Sequence, residues 1–573
     1  MVKTLKKWGG FFVIFLLALF FLGKDLNPFN GRMFSFHDDT QAGRVQEFAF
    51  DLAHFQIPPR LAPHFSFNMG FPVFNFYAPF AYWVTSLIHL VGINPAIAVK
   101  ISFLSAVLCA FLFMYLFLTS SFSFFASIVG SAIYSSCLWV ASEIFVRGNL
   151  GELWFIALLP LAFFLLKKNA EGKKSSLFVG TVIALSFLFT VHNIFSLLAV
   201  PLVILFSLLY KNKKKNILAI GIALLLSAYF LVPAVVESPF TYASQQAKLT
   251  NYSDHFLCAW QLWYAPYWGY GGSAKGCIDD GMAFKLGKVH IVLAIVGVVC
   301  FLISLLFKRK DPDTKQHVFM LLLGAFSFFL TLYQSQFIWK LFEPILSLFQ
   351  FPWRFLLFVV FFAAYFSSVS VHYLSKIVSN RYIQGVIICI LVVITFKSSS
   401  LYFQKPQDMT VGQYASEYLS PFYLHSKIAY LIPEYFPKTG NFNYWMKYSQ
   451  LPESAYIDQL AAVPTKKQNK LIVIKNDPYE KIVRTTLADT IIPSIHYFPF
   501  WTIQIDGKNM VPTHFDKLGR PLLPAKQNQT ISIRYNETPI EKLADWITVV
   551  TLVGLFLLVI NKKIWNKLTN IIT

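Results

Sequence analysis

Between residues 24 and 95 the chain gathers His37, Asp38, Asp39, Arg44, Glu47, Asp51, His54 and Arg60 beside a stretch rich in Phe, Tyr and Pro. Carboxylates and imidazoles can take a proton from an acceptor hydroxyl. Carboxylates can also hold a divalent cation, and guanidinium forks match phosphate oxygens. Asp38-Asp39-Thr40 reads as a helix start. Behind it Ala42, Val45, Phe48, Ala49, Leu52 and Phe55 recur at helical spacing, leaving Arg44, Glu47 and Asp51 on another face. An N-cap stabilises a helix by about 1 kcal/mol and needs one of the two acids. The other is spare, with a histidine in front of it.

These groups need a frame, and composition says which kind. The chain has 573 residues, 56% of them hydrophobic and 13% charged, with a mean hydropathy of +0.54. A soluble chain could not hide so much apolar surface, so the class is a polytopic membrane protein, mainly α. The net charge of +21 invites a nucleic-acid reading, but its distribution argues against one. Lysines and arginines cluster at the ends of apolar runs: Lys3, Lys6 and Lys7; Lys167, Lys168, Lys173 and Lys174; Lys211 and Lys213 to Lys215; Lys308 to Lys310; Lys562 and Lys563. That is how cytoplasmic loops are marked. The lipid bilayer, and no nucleic acid, is the expected partner.

The apolar runs fall at about 8–24, 97–118, 122–141, 153–168, 176–192, 194–210, 216–236, 288–307, 316–333, 352–373, 381–397 and 545–561. The first resembles a secretory signal but lacks a small-residue cleavage site, so it reads as an uncleaved span. Phe76–Val91 is only about 16 residues, short of the ~20 a span needs. Laid flat on the outer surface, it leaves every basic cluster cytoplasmic, with Tyr77, Tyr82 and Trp83 at headgroup depth. The expected architecture is a helical bundle of about twelve spans with both ends inside. A membrane module over 1–397 contains the large outer loop 24–95. A small extracytoplasmic domain follows over 398–544, β-rich in its second half, and 545–573 supplies the last span and tail. The predicted strands are Leu471–Lys475, Trp501–Ile505 and Thr530–Tyr535, with Asp506-Gly507 as a hairpin turn. Cys258 and Cys277 share one outer loop and could pair in an oxidising compartment.

Arg44, Arg60, Arg147 and Arg354 fall on the outer side, against the positive-inside bias. Each is explained by pairing, as Arg147 between Glu143 and Glu152 or Arg44 with Glu47, or by phosphate capture. His192-Asn193 reads as a breaker between two spans. Asp279-Asp280 reads as a solvated loop rather than a metal site.

Four stretches carry a resemblance: His37-Asp38 through Arg44; Ile57-Pro58-Pro59-Arg60 leading to Gly70-Phe71-Pro72-Val73-Phe74-Asn75-Phe76-Tyr77-Ala78-Pro79; Val146-Arg147-Gly148-Asn149-Leu150-Gly151-Glu152; and Phe351-Pro352-Trp353-Arg354-Phe355. With the acid-bearing first loop they resemble the GT-C class of integral membrane glycosyltransferases. More narrowly, they resemble a bacterial membrane family labelled "6-pyruvoyl-tetrahydropterin synthase-related", whose label nothing in these residues supports as pterin chemistry. The resemblance implies transfer of a sugar from a polyprenyl-phosphate donor to a glycan, lipid or protein acceptor outside the bacterial cytoplasmic (inner) membrane, with inversion. It puts the catalytic acid at Asp38 or Asp39, next to His37. The substrate and phosphate ligands are then Arg44, Arg60, Arg147, Glu152, Arg354 and Tyr77. It leaves open whether a divalent metal, Mg or Mn, takes part. The alternative is a lipid-linked glycan flippase or exporter, which should carry ionisable residues within its spans; apart from Lys100 they are nearly absent.

Overall fold

The computed structural model describes residues 2–243, 250–265, 268–307, 311–405, 409–450, 461–466, 468–561 and 565–566. The lysine and arginine clusters at 308–310 and 562–563 lie outside these residues, as do the side chains of Lys3, Lys6 and Lys7. The chain is mainly helical, with 63% of residues in helices. All twelve apolar runs lie on helices, but they differ in length. Seven helices among the described residues are long and apolar enough to cross a membrane: Pro95–Thr119, Phe124–Arg147, Leu150–Glu171, Lys288–Leu306, Pro352–Ile377, Arg381–Ser400 and Pro539–Ile560. Lys213–Leu226 and Ala228–Val236 add an eighth if the pair, bent by 68°, is one span. Gly9–Leu22, Ser175–Phe189 and Asn193–Ser207 are shorter.

The three central helices are Phe124–Arg147, Leu150–Glu171 and Pro352–Ile377, of which 83–89% is buried, against 11% for Pro539–Ile560 at the rim. Close approach in this centre depends on small residues. A Cβ on Gly297 would fall 1.9 Å from the Phe366 carbonyl oxygen, so helix Lys288–Leu306 lies directly on Pro352–Ile377.

The predicted helix after Asp38 runs from Gln41 to Ala53. Its apolar stripe is buried from Ala42 to Ala49 as expected, but Phe55 lies past the helix end and is 88% exposed. Arg44, Glu47 and Asp51, on another face as expected, are also at most 2% exposed, because helix Phe80–Leu90, the chain around His64 and Tyr479 close over them. Neither acid of the pair acts as a side-chain cap. Phe80–Leu90, 11 residues long, is what the Phe76–Val91 run becomes. It packs on Gln41–Ala53, so Tyr82 is 1% exposed rather than set among headgroups.

Beyond residue 397 the described residues form nine strands, and a tenth comes from the first loop. β1 (Arg32–Met33) of the first loop pairs with β2 (Met409–Thr410), joining Arg32 to Thr410. β3 (Ala462–Pro464), β6 (Asp489–Pro493) and β9 (Leu523–Ala525) form one antiparallel sheet in the order β3-β6-β9. The other sheet has the order β4-β5-β10-β7-β8, with β4 at Ile472–Asn476, β5 at Glu480–Arg484, β7 at Trp501–Ile505, β8 at Lys508–Met510 and β10 at Thr530–Tyr535. Ile531 opposes Val483 and Ile533 opposes Ile503, and all four are buried on one face. Asp506 and Gly507, at φ 48° and 77°, make the expected left-handed hairpin turn between β7 and β8.

Candidate functional site

His37 and Asp38 are fixed by backbone pairing to the end of a central helix. The N–H groups of His37 and Asp38 donate to the carbonyls of Val146 and Arg147, both at 2.9 Å. Gly148 makes this approach work. Its φ is +65°, and a Cβ there would stand 2.1 Å from the Phe36 ring. Asn149 then accepts the Glu152 N–H at 2.9 Å and starts helix Leu150–Glu171.

Around this junction lies a cavity of about 520 Å³, within the range of small-molecule sites. His37, Asp38, Arg44, Tyr77, Arg147 and Arg354 all line it, so six sequence-expected residues meet there. Both oxygens of Asp38 are held: Thr40 Oγ1 donates to one at 2.9 Å and Gln41 Nε2 to the other at 2.6 Å. Arg44 stands 3.4 Å from Asp38, donates to Tyr82 at 3.0 Å and lies over the Tyr77 ring at 4.4 Å. It does not pair with Glu47, which instead holds His64 at 2.9 Å. His37 Nε2 is 2.7 Å from the Tyr270 carbonyl. A carbonyl only accepts, so Nε2 carries the proton and Nδ1 keeps its lone pair. Burial lowers the pKa of His37, which keeps the ring neutral.

Arg147 and Arg354 meet over Glu152, which is 1% exposed. Arg147 donates to both Glu152 oxygens at 2.6 and 2.7 Å and to Glu143 at 2.6 Å. Arg354 Nε donates to Glu152 at 3.0 Å, and its Nη1 donates to the Phe349 carbonyl and to Gln350. Arg354 Nη2 has no protein acceptor among the described residues, leaving one edge of the fork for a ligand. Glu152 thus holds two guanidiniums from behind and is not among the residues lining the cavity.

One expected ligand, Arg60, and one expected catalytic acid, Asp39, lie elsewhere. Arg60 donates to Asp545 at 2.8 Å and to Asn75 at 3.0 Å, tying the first loop to helix Pro539–Ile560. Asp39 turns toward Tyr423, outside the cavity lining, and burial raises its pKa to about 6. Sequence reasoning missed Glu434, Tyr435, His255 and Ser273, which line the cavity from loops without periodicity. Burial lifts Glu434 to about 7, placing a second, near-neutral carboxyl near Arg44 and Asp38. His192-Asn193 does break two helices, but it also lines the cavity. Asn193 accepts the Ala78 N–H and donates to the Phe76 carbonyl, both at 2.7 Å.

Cys258 and Cys277 are bonded, with Cα atoms 5.9 Å apart. Asp280 accepts from Gln261 at 2.7 Å and from the Ala274 N–H at 2.9 Å, pinning that loop. Among the described residues, no three His, Cys, Asp or Glu side chains are placed to hold a metal ion. The carboxylates lining the cavity are Asp38 and Glu434. No protein-family profile and no curated protein matches the chain.

Proposed function

We propose that the chain is a membrane glycosyltransferase of the GT-C type, similar to the bacterial family named above. It moves a sugar from a polyprenyl-phosphate donor to a glycan, lipid or protein acceptor on the outer side of the cytoplasmic membrane. What carries the reading is one cavity that joins a held carboxylate, Asp38, to the guanidiniums of Arg44, Arg147 and Arg354. The cavity sits at the N-terminal end of helix Leu150–Glu171, while Lys167 and Lys168 mark the other end. Twenty-two residues rise about 33 Å, the thickness of a bilayer's hydrocarbon core. With the basic clusters inside, the cavity opens outside; the bent pair taken as one span, the 18-residue helix Thr314–Thr331 and the three shorter apolar helices complete the twelve, the short ones by local bilayer thinning.

In this reaction the acceptor hydroxyl donates its proton to Asp38 as its oxygen bonds to the anomeric carbon. The bond from that carbon to the phosphate oxygen breaks, and the configuration inverts. Arg354 Nη2 and Arg44 stabilise the charge gathering on the leaving phosphate. Arg147, saturated by Glu143 and Glu152, positions rather than binds. Of the two acids, Asp38 is the base, since Asp39 faces away.

The test is glycan profiling of a deletion strain complemented with variants. Asp38→Asn should lower modification by about 10²–10⁴-fold at normal protein abundance, and Asp39→Asn should leave it within about tenfold. Wild-type glycans from Asp38→Asn would end this mechanism. A cysteine at the exposed position His54 should react with an impermeant maleimide in intact cells. Reaction only after lysis would reverse the orientation.

A further inference from the structure

A second cavity, of about 190 Å³, lies where the first loop meets the β-rich region, with His64, Phe67, Asn68, Tyr448, Lys481 and Arg520 in its lining. Lys481, on β5, is 5% exposed, and its ammonium donates to the neutral Asn476 at 3.1 Å. The other two basic groups are already matched: His64 with Glu47 at 2.9 Å and Arg520 with Asp516 at 2.7 Å. Asp477 also lines the cavity and its charge favours the Lys481 ammonium, but its carboxylate accepts the Tyr479 N–H at 2.9 Å, and no described carboxylate lies within ion-pairing distance of Lys481. A buried ammonium without a counter-charge in direct contact is costly unless an anion joins it. Burial lowers Lys481 to about 8, which still leaves it mostly charged at neutral pH.

Two further features lie in the wall of the same cavity. Asn68 Oδ1 is buried without a hydrogen-bond partner, an acceptor facing no donor. Ser66, Phe67 and Asn68 run consecutively at φ 60°, 61° and 58°, a left-handed turn made without glycine. Such backbone is held only where surroundings impose it, and it collects at ligand sites. Here the hydrogen bond between Ser66 and His496 and the edge-on contact of Phe67 with Tyr448 at 5.2 Å impose it. The turn thereby presents Phe67 and Asn68 to the cavity.

We propose that this cavity binds a sugar unit bearing an anionic group, carboxylate or phosphate. Lys481 pairs with the anion, the Asn68 side chain meets a hydroxyl from the wall, and Phe67 and Tyr448 cover the ring's apolar faces. The volume equals that of about six waters, room for one ring. Tyr435 lines the first cavity, and from its neighbour Phe436 a ring stack continues through Trp445 to Phe67 in the second. If the chain is a transferase, the second cavity holds the acidic unit of the acceptor. That role rests on the transfer reading; the binding does not.

The experiment is calorimetric titration of the full-length chain in nanodiscs with glucuronate, glucose 1-phosphate and glucose. At least one acidic probe should bind about tenfold or more tightly than glucose, and which one does identifies the source of the charge. Lys481→Gln should weaken that probe by about tenfold and leave glucose unchanged, while Lys481→Arg keeps the preference. Tyr448→Ala should weaken all three. No preference for either acid in the wild type, or a preference surviving intact in Lys481→Gln, overturns the proposal. Either failure leaves the Asp38→Asn test of transfer untouched.

Discussion

Glu152→Gln is the substitution whose cost the geometry defines best. The wild-type carboxylate accepts from Arg147 Nη1 and Nη2 at 2.6 and 2.7 Å, from Arg354 Nε at 3.0 Å and from Asn149 at 3.2 Å. With Glu143, the cluster of two guanidiniums and two carboxylates is neutral. Glutamine keeps the shape, and with its amide nitrogen at the oxygen that takes Arg147 Nη1 one charged hydrogen bond loses its acceptor. That bond costs about 1.5–3 kcal/mol. Loss of the negative charge beside two buried guanidiniums brings the total to about 3–5 kcal/mol. Unfolding in graded SDS, followed by tryptophan emission in mixed micelles, should show a loss of about 3–5 kcal/mol. Adding Arg354→Met should restore part of it, because the uncompensated positive charge goes with the second substitution. A Glu152→Gln variant within about 0.5 kcal/mol of wild type would mean that the cluster does not hold the helix ends together, and the electrostatic account of the cavity wall would fail.

Gly148→Ala should destabilise by about 2–4 kcal/mol, combining left-handed backbone with overpacking against Phe36; normal thermal stability and expression would contradict it. Arg60→Met strands Asp545 and Glu541 and should loosen helix Pro539–Ile560 by about 3 kcal/mol, read as faster proteolysis near residue 538 in nanodiscs. Unchanged cleavage would refute the tether. Asp39 titrates near 6 when folded, above its ordinary 3.8. Its contribution to stability is therefore fully present below pH about 4 and is lost as pH rises through about 6. Asp39→Asn should gain stability relative to wild type at pH 7 but not at pH 4; a pH-independent difference would show that this carboxyl is solvated.

The residues legible in the sequence are those whose charge contrasts with their surroundings. Asp38, Arg147 and Arg354 interrupt or abut apolar runs, and such groups need a reason to be there. Arg60 met the same criterion, but its reason is Asp545, 485 residues away, which no spacing can reveal. Glu434 is a lone acid in Leu431-Ile432-Pro433-Glu434-Tyr435, a contrast of the same kind in a segment without period. β7 and β10 alternate cleanly and read as strands. β3, β6 and β9 each contain a proline, Pro464, Pro493 and Pro524, and span only three to five residues, which hides them from any pattern of two. The break at His192-Asn193 is legible in the sequence, but the helices beside it stop at Phe189 and Ser207, short of their apolar runs, because hydropathy does not mark where a helix ends.

The bond between Arg60 and Asp545 sets a timetable for biogenesis. At about 5–20 residues per second, the 485 residues between them take on the order of 25–100 s to translate. Throughout that interval the guanidinium waits for its carboxylate, and Glu434 and Tyr435, needed to wall the first cavity, arrive almost as late. A ribosome that stalls before residue 430 therefore releases a chain with every early motif in place and nowhere to seat a ligand.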